Sequence, residues 1–185
     1  MLDIEEALGN GCIWLEYQPT VRIEDASIAS LEALIRWQHP DFGTVAPDRW
    51  IPLAEQVGMI HHVTLWVVDR VCEDMSALKS RHGDHIAVAV NISANDLTYP
   101  DFLEKVKGIV QRHGAQPSDL ILEITETAMM ADTALAQEVI RTLSHSGFRI
   151  AVDDFGTGHS SLGTLATFEL DELKIDRSFL SGILT

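Results

Sequence analysis

From Val63 onward the hydrophobic period switches repeatedly between helix-like and strand-like, and few folds accommodate that alternation. Val63, Trp66, Val67, Arg70, Val71, Met75 and Leu78 keep a three-and-four spacing, which predicts a helix. The run "HIAVAVNIS" then predicts a strand, and "PDFLEKVKGIVQRHG" a helix with Phe102, Leu103, Val106, Ile109 and Val110 on one face. "DLILEIT" reads as a strand, followed by a helix from an Asp132 cap to Gly147. "FRIAV" is a strand, "SSLGTLATF" a short helix and "ELKID" a last strand. Continuously apolar strands separated by helices describe a parallel sheet with both faces covered, the α/β class. The N-terminal part differs. A short helix over 4–8 stops at Gly9 and Gly11, and the strand-like runs "IWLEYQP" and "SIASLEALIRW" follow. Too few residues separate them for a helical crossover, so they predict an antiparallel pair. Pro47 and Asp48 then open a helix through "WIPLAEQVG".

Polar side chains recur where these strands are predicted to end. The strand over 86–90 finishes in Asn91, that over 120–122 in Glu123, and that over 148–152 in Asp153 and Asp154; the last carries Lys174 and the second Glu32. Asp153 and Asp154 alone suit a turn, since Asp and Gly are common turn residues. Five successive strands ending this way instead suggest a site, which α/β sheets and barrels build at the carboxyl ends of their strands. Glu32, Asn91, Glu123, Asp153 and Asp154 offer hard oxygen ligands suited to Mg²⁺ or Mn²⁺. Gathered without metal, the carboxylates would repel one another strongly. Adjacent acids can serve two metals ~3.5–4 Å apart, an arrangement suited to displacement at phosphorus. Lys174 could orient the attacking water or offset charge growing in the transition state. A barrel glycosidase with paired carboxylates is the competing chemistry; adjacent Asp-Asp with a strand-end lysine favours phosphoryl transfer.

The totals narrow the class. The 185 residues suggest one domain, and 46% hydrophobic content provides a core. A net charge of −15 opposes sequence-independent binding of a nucleic acid polymer, but permits a phosphate-bearing small molecule with a divalent cation. Cys12 and Cys72 match no metal or redox spacing and suit a reducing cytoplasm. The acidic start lacks the pattern of a signal peptide, and no apolar run approaches the ~20 residues of a membrane span. The expectation is a soluble cytoplasmic domain. The histidines gather no third ligand and form no rival metal site.

The stretches "LEYQP", "LEALIRWQHPDFG", "WIPLAEQVGMI", "AVNISANDL", "LEITET", "VDDFGTGHSSL" and "LKIDRSF", in this order, resemble the EAL-domain family of cyclic-di-GMP phosphodiesterases. Glu-Ala-Leu occurs twice, at 6–8 and 32–34, and context selects the second copy. The resemblance implies a modified TIM-type (β/α) barrel with an antiparallel first strand, and metal-dependent hydrolysis of cyclic-di-GMP to linear pGpG in second-messenger signalling. It implies that Glu32, Asn91, Glu123 and Asp153 hold a first Mg²⁺ or Mn²⁺. Asp153 would bridge to a second metal, which Asp154 also binds, and Lys174 would contact the nucleophilic water. Arg36 would meet a substrate phosphate, and Gln18 and Leu34 would line the nucleotide pocket. Glu126 would steady the loop from Asp154 to Ser160, which usually joins the metal site to a homodimer interface. His159 replaces the family's usual tyrosine. The family pattern continues past "KIDRSFL" with a further second-metal glutamate. Residues 1–185 are therefore expected to be a single EAL domain without its last strands and helices, inactive or weakly active as it stands. The alternative is a catalytically impaired module that binds cyclic-di-GMP or a protein partner.

Overall fold

A computed structural model of the chain describes residues 4–131, 133–156, 168–176 and 178. The elements run α1 (Ile4–Asn10), β1 (Ile13–Val21), β2 (Ile28–His39), β3 (Gly43–Val45), α2 (Pro47–Gln56) and α3 (Ile60–His82). There follow β4 (Val88–Ile92), α4 (Ala94–Leu97), α5 (Phe102–His113), a 3₁₀ turn (Pro117–Asp119), β5 (Leu120–Thr125), α6 (Glu126–Ala131), α7 (Thr133–His145), β6 (Arg149–Phe155) and β7 (Glu172–Ile175). Among the described residues these strands form one sheet in the order β1-β2-β4-β5-β6-β7, with β3 on β2. β1 and β3 pair antiparallel with β2, and every later neighbour is parallel. The short first connection thus makes the antiparallel pair expected of it, and the helical crossovers make the parallel ones. The result is an incomplete (β/α) barrel with β1 and β7 as its edges.

Strand residues alternate between two environments because successive side chains leave opposite faces. Val88, Val90, Ile92, Leu120, Leu122, Ile124, Ile150 and Val152 join the main core with Val67, Val71 and Met75 of α3 and Val106 and Ile109 of α5. The other face is floored by a small cluster, Ala87, Ala89, Ile121 and Ala151, all buried. Two residues further along the same strands come Asn91, Glu123 and Asp153. The period of two that buries the alanines therefore also sets where the polar residues emerge.

Three strands differ from the expectation at their ends. Glu32 is not the end of its strand: β2 continues to His39 on β1 and β3, and only its pairing with β4 stops at Glu32↔Ala89. Glu123 lies inside β5, which runs to Thr125. β6 runs through both aspartates to Phe155, because β7 continues to pair beyond Val152. The helix expected from Asp132 is preceded by α6; the Asp132 cap and, except for Phe168, the short helix expected over 160–168 fall outside the described residues.

α4 is too short for periodicity to show it, and its capping box holds it. Asn95 N donates to Ser93 Oγ at 3.2 Å, and Ser93 N donates to Asp96 Oδ2 at 2.9 Å. The same Asp96 oxygen accepts from Thr64 Oγ of α3 at 2.8 Å. Asp96 is fully buried, and burial, partly offset by these two donors, pushes its carboxyl up to about 6. A carboxyl raised in the folded state contributes stability that is complete below its unfolded pKa and lost as pH rises through the folded value. Asp96→Asn keeps an acceptor and removes the charge. Wild type is expected to lose roughly 3 kcal/mol relative to Asp96→Asn between about pH 4 and pH 7, at ~1.36 kcal/mol per unit. Denaturant unfolding of both proteins across that range checks this, and parallel pH curves would contradict it.

Candidate active site at the strand ends

Glu123 is the deepest of the strand-end acids. It is 1% exposed, and its neighbours across the sheet are Asn91 on β4 and Ala151 on β6. Neither carboxylate oxygen has a hydrogen-bond partner of good geometry among the described residues, but Lys174 Nζ forms an ion pair with one of them. The same ammonium donates to Glu32 Oε2 at 3.0 Å, and Asn91 Nδ2 donates to Glu32 Oε1 at 3.3 Å. Burial pushes the Glu123 carboxyl up to about 7 against the pull of Lys174, and the charges of Glu32 and Asp153 push it the same way. Burial acts to lower the Lys174 pKa, but its contacts with Glu123 and Glu32 outweigh this and the net shift is upward. The two glutamates therefore keep Lys174 charged, while burial outweighs the pull of Lys174 on Glu123.

A β-bulge places the two aspartates. Val152 pairs with Leu173 and Phe155 with Ile175, so Asp153 and Asp154 together stand opposite Lys174 alone. Without the extra residue, alternation would send adjacent side chains to opposite faces. Asp154 takes a left-handed backbone, φ 56°, which Asp tolerates better than most residues, and its N–H donates to Asp153 Oδ1 at 2.9 Å. Burial, then Asp153 and Asp176, raise the Asp154 carboxyl above its ordinary value.

A cavity of about 360 Å³ opens beside these groups, lined by Leu34, Arg36, Asp48, Glu55, Asn91 and Thr125 among others. Arg36 Nε donates to Glu16 Oε2 at 2.7 Å and its Nη1 to the Ile35 carbonyl at 3.1 Å. Gln18 is exposed on β1 directly across from Glu32. Glu126 is buried, and its Oε2 accepts the Gly156 N–H at 2.9 Å, so it holds the start of the loop that follows β6. The rest of that loop, to Ser160, lies outside the described residues. Two contact residues escape the sequence reading. Glu16 shares the alternation of Gln18 on β1 and could have been found from it; Glu55 offers no such signal.

The donors suit a hard divalent cation: among the described residues the buried Glu123 oxygens meet only the Lys174 ammonium, and Asn91 and Asp153 stand on the adjoining strands with Glu32 one strand beyond Asn91. Among the described residues no three acids gather closely enough to hold a metal; the Lys174 ammonium bridges Glu32 and Glu123 instead.

A family model for the EAL domain matches residues 1–185. The chain belongs to the EAL domain family. It is 39% identical over 182 residues to a bifunctional diguanylate cyclase/cyclic di-GMP phosphodiesterase, MucR, of Pseudomonas aeruginosa, covering 98% of this chain and 26% of that protein. To the cyclic di-GMP phosphodiesterase NbdA of the same organism it is 38% identical over 181 residues, 98% of this chain and 23% of NbdA. The chain thus spans about a quarter of the length of these curated relatives. The solved MucR phosphodiesterase in complex with c-di-GMP superposes with a TM-score of 0.91 at 37% identity, covering 98% of this chain and 74% of that one. The EAL enzyme Bd1971 in its cGMP-bound form gives a TM-score of 0.86 at 32% identity, covering 99% and 51%. These EAL-domain matches agree with the incomplete barrel. Among the described residues no helix is long and apolar enough to cross a membrane.

The crowded acids predict a stability penalty in metal-free protein. Asp154→Asn keeps a residue tolerant of the left-handed backbone and removes a carboxylate set against Asp153 and Asp176. In EDTA the variant is expected to gain roughly 0.5 kcal/mol, solvent screening keeping the effect small. Chemical denaturation measures it, and a loss of stability would contradict it.

Proposed function

We propose that this chain carries the site of a cyclic-di-GMP phosphodiesterase, a hydrolase that opens one phosphodiester bond to give linear pGpG. The observation that supports this best is the buried Glu123 joined through Lys174 to half-buried Glu32, beside a cavity lined in part by Arg36. EAL-domain relatives named as c-di-GMP phosphodiesterases support the substrate. Glu32, Asn91, Glu123 and Asp153 would hold a first divalent cation, Mg²⁺ or Mn²⁺. Asp153 and Asp154 would serve a second. Bound there, such ions supply Lewis acidity and lower the pKa of water.

The chain's own groups have separable tasks. Arg36 binds a phosphate oxygen with the N–H groups it does not spend on Glu16 and Ile35, and Leu34 and Gln18 flank the nucleotide. Lys174 orients the attacking water and offsets charge growing on the phosphoryl oxygens. Glu126 holds the loop after β6 through Gly156. Residues 1–185 belong to a single EAL domain without its last strands and helices, acting in the cytoplasm and as a homodimer.

A second reading is a module that binds cyclic-di-GMP or a protein partner without turning nucleotide over. A Mg²⁺- or Mn²⁺-dependent turnover assay with product analysis separates the two. Appearance of pGpG supports the phosphodiesterase, and nucleotide affinity without product supports the module. In an active form, Lys174→Ala should lower kcat by ~10²–10³ with little change in nucleotide affinity, as expected of a group acting on the transition state. Normal kcat with a raised KM would make Lys174 a ground-state phosphate contact. Arg36→Ala should instead weaken nucleotide binding, and unchanged calorimetric affinity in the folded variant would reduce Arg36 to the partner of Glu16.

A further inference from the structure

Glu55 is placed where helix stability alone would not put a carboxylate. It lies in the last turn of α2, which carries no basic residue there, and a negative charge opposes the dipole at that end. It also stands near Asp96, whose carboxyl its charge helps to raise. Two acids are thus gathered around Ser93 at some cost in stability.

Their shared contact is specific. Ser93 Oγ donates to Glu55 Oε1 at 2.5 Å, in the range of a charge-assisted bond, while accepting from Asn95 N. Ser93 N donates to Asp96, which Thr64 of α3 holds from the far side. Ser93 is the first residue beyond the β4–β5 ladder, which ends at Ile92, so side chains and not sheet bonds fix its position. Asn91, two residues earlier, is exposed, and its contact to Glu32 is long at 3.3 Å. The geometry that aims Asn91 is therefore anchored from behind at Ser93.

We propose that Glu55 is a positioning residue that sets Asn91 through Ser93, tying α2, a wall of the pocket, to the ligand set at the strand ends. The relevance of Asn91 rests on the reading above, in which it is a metal ligand. Groups that orient a ligand typically change metal affinity by ~10–100-fold when removed.

The test uses the full chain as wild type, Glu55→Ala, Glu55→Gln, Ser93→Ala and the double alanine variant. Calorimetric Mn²⁺ titration is paired with the Asn91 side-chain amide signal in metal-free protein, assigned by its loss in Asn91→Asp. Glu55→Ala and Ser93→Ala are each expected to weaken Mn²⁺ about tenfold and to shift the Asn91 signal. The double variant should be no weaker than either single one, and Glu55→Gln, whose amide oxygen still accepts from Ser93, should stay near wild type. Tyr17→Phe, which loses a 2.8 Å bond to Asp74 far from Ser93 in sequence, should lower Tm and leave both readouts unchanged. If wild type binds no Mn²⁺ but the Asn91 signal still moves in Glu55→Ala, the metal reading fails and the coupling stands. An Asn91 signal unmoved in both Glu55→Ala and Ser93→Ala overturns the proposal.

Discussion

The Glu123 carboxylate is held out of water in the middle of a parallel sheet, and Lys174, from the last strand described, is the counter-charge that allows it. A carboxylate buried without such a partner would shed its charge by binding a proton. The pair joins β5 to β7 across β6, and through Glu32 it reaches back to β2. Three strands distant in sequence thus meet at one ammonium. The small residues beneath, Ala87, Ala89 and Ala151, leave room for these side chains where larger ones would fill the interior. The helices play no direct part in the convergence; their apolar faces seal the opposite side of the sheet and hold the strands in register.

The same groups work against stability. Burial and neighbouring acids raise the carboxyls of Glu123 and Asp154, the bulge gives Asp154 a left-handed backbone, and Glu55 opposes its own helix. Several local rules are broken together at one end of the sheet. That concentration is what a functional site imposes on an otherwise consistent sequence. It also separates a site from a surface cluster, where a solvated carboxylate would show neither burial nor a shared lysine.

Much of this was legible before any coordinates. The alternation after Val63 predicts the parallel strands and their helices, and the short link between the first two strands predicts their antiparallel pairing. The strand-end acids are visible as a series, though not the partnerships among them. That Lys174 meets Glu123 depends on sheet order and stagger, which no local pattern encodes. The aspartate pair reads as a turn because Asp-Asp-Phe-Gly carries turn chemistry; the bulge is imposed by continued pairing with β7. β3 and α4 are too short to set a period, yet the Pro-Asp-Phe-Gly turn before β3 and the Ser93–Asp96 spacing of a capping box were signals for both. Glu55 had none, since its meaning lies in what Ser93 touches.

The convergence of Glu32, Asn91, Glu123 and Asp153 as a cation site is best tested by anomalous diffraction from crystals grown with Mn²⁺. A manganese peak among those four side chains is predicted, with the Lys174 ammonium drawn away from the space between Glu32 and Glu123. No peak at saturating Mn²⁺, with Lys174 still bridging the two glutamates, would contradict it.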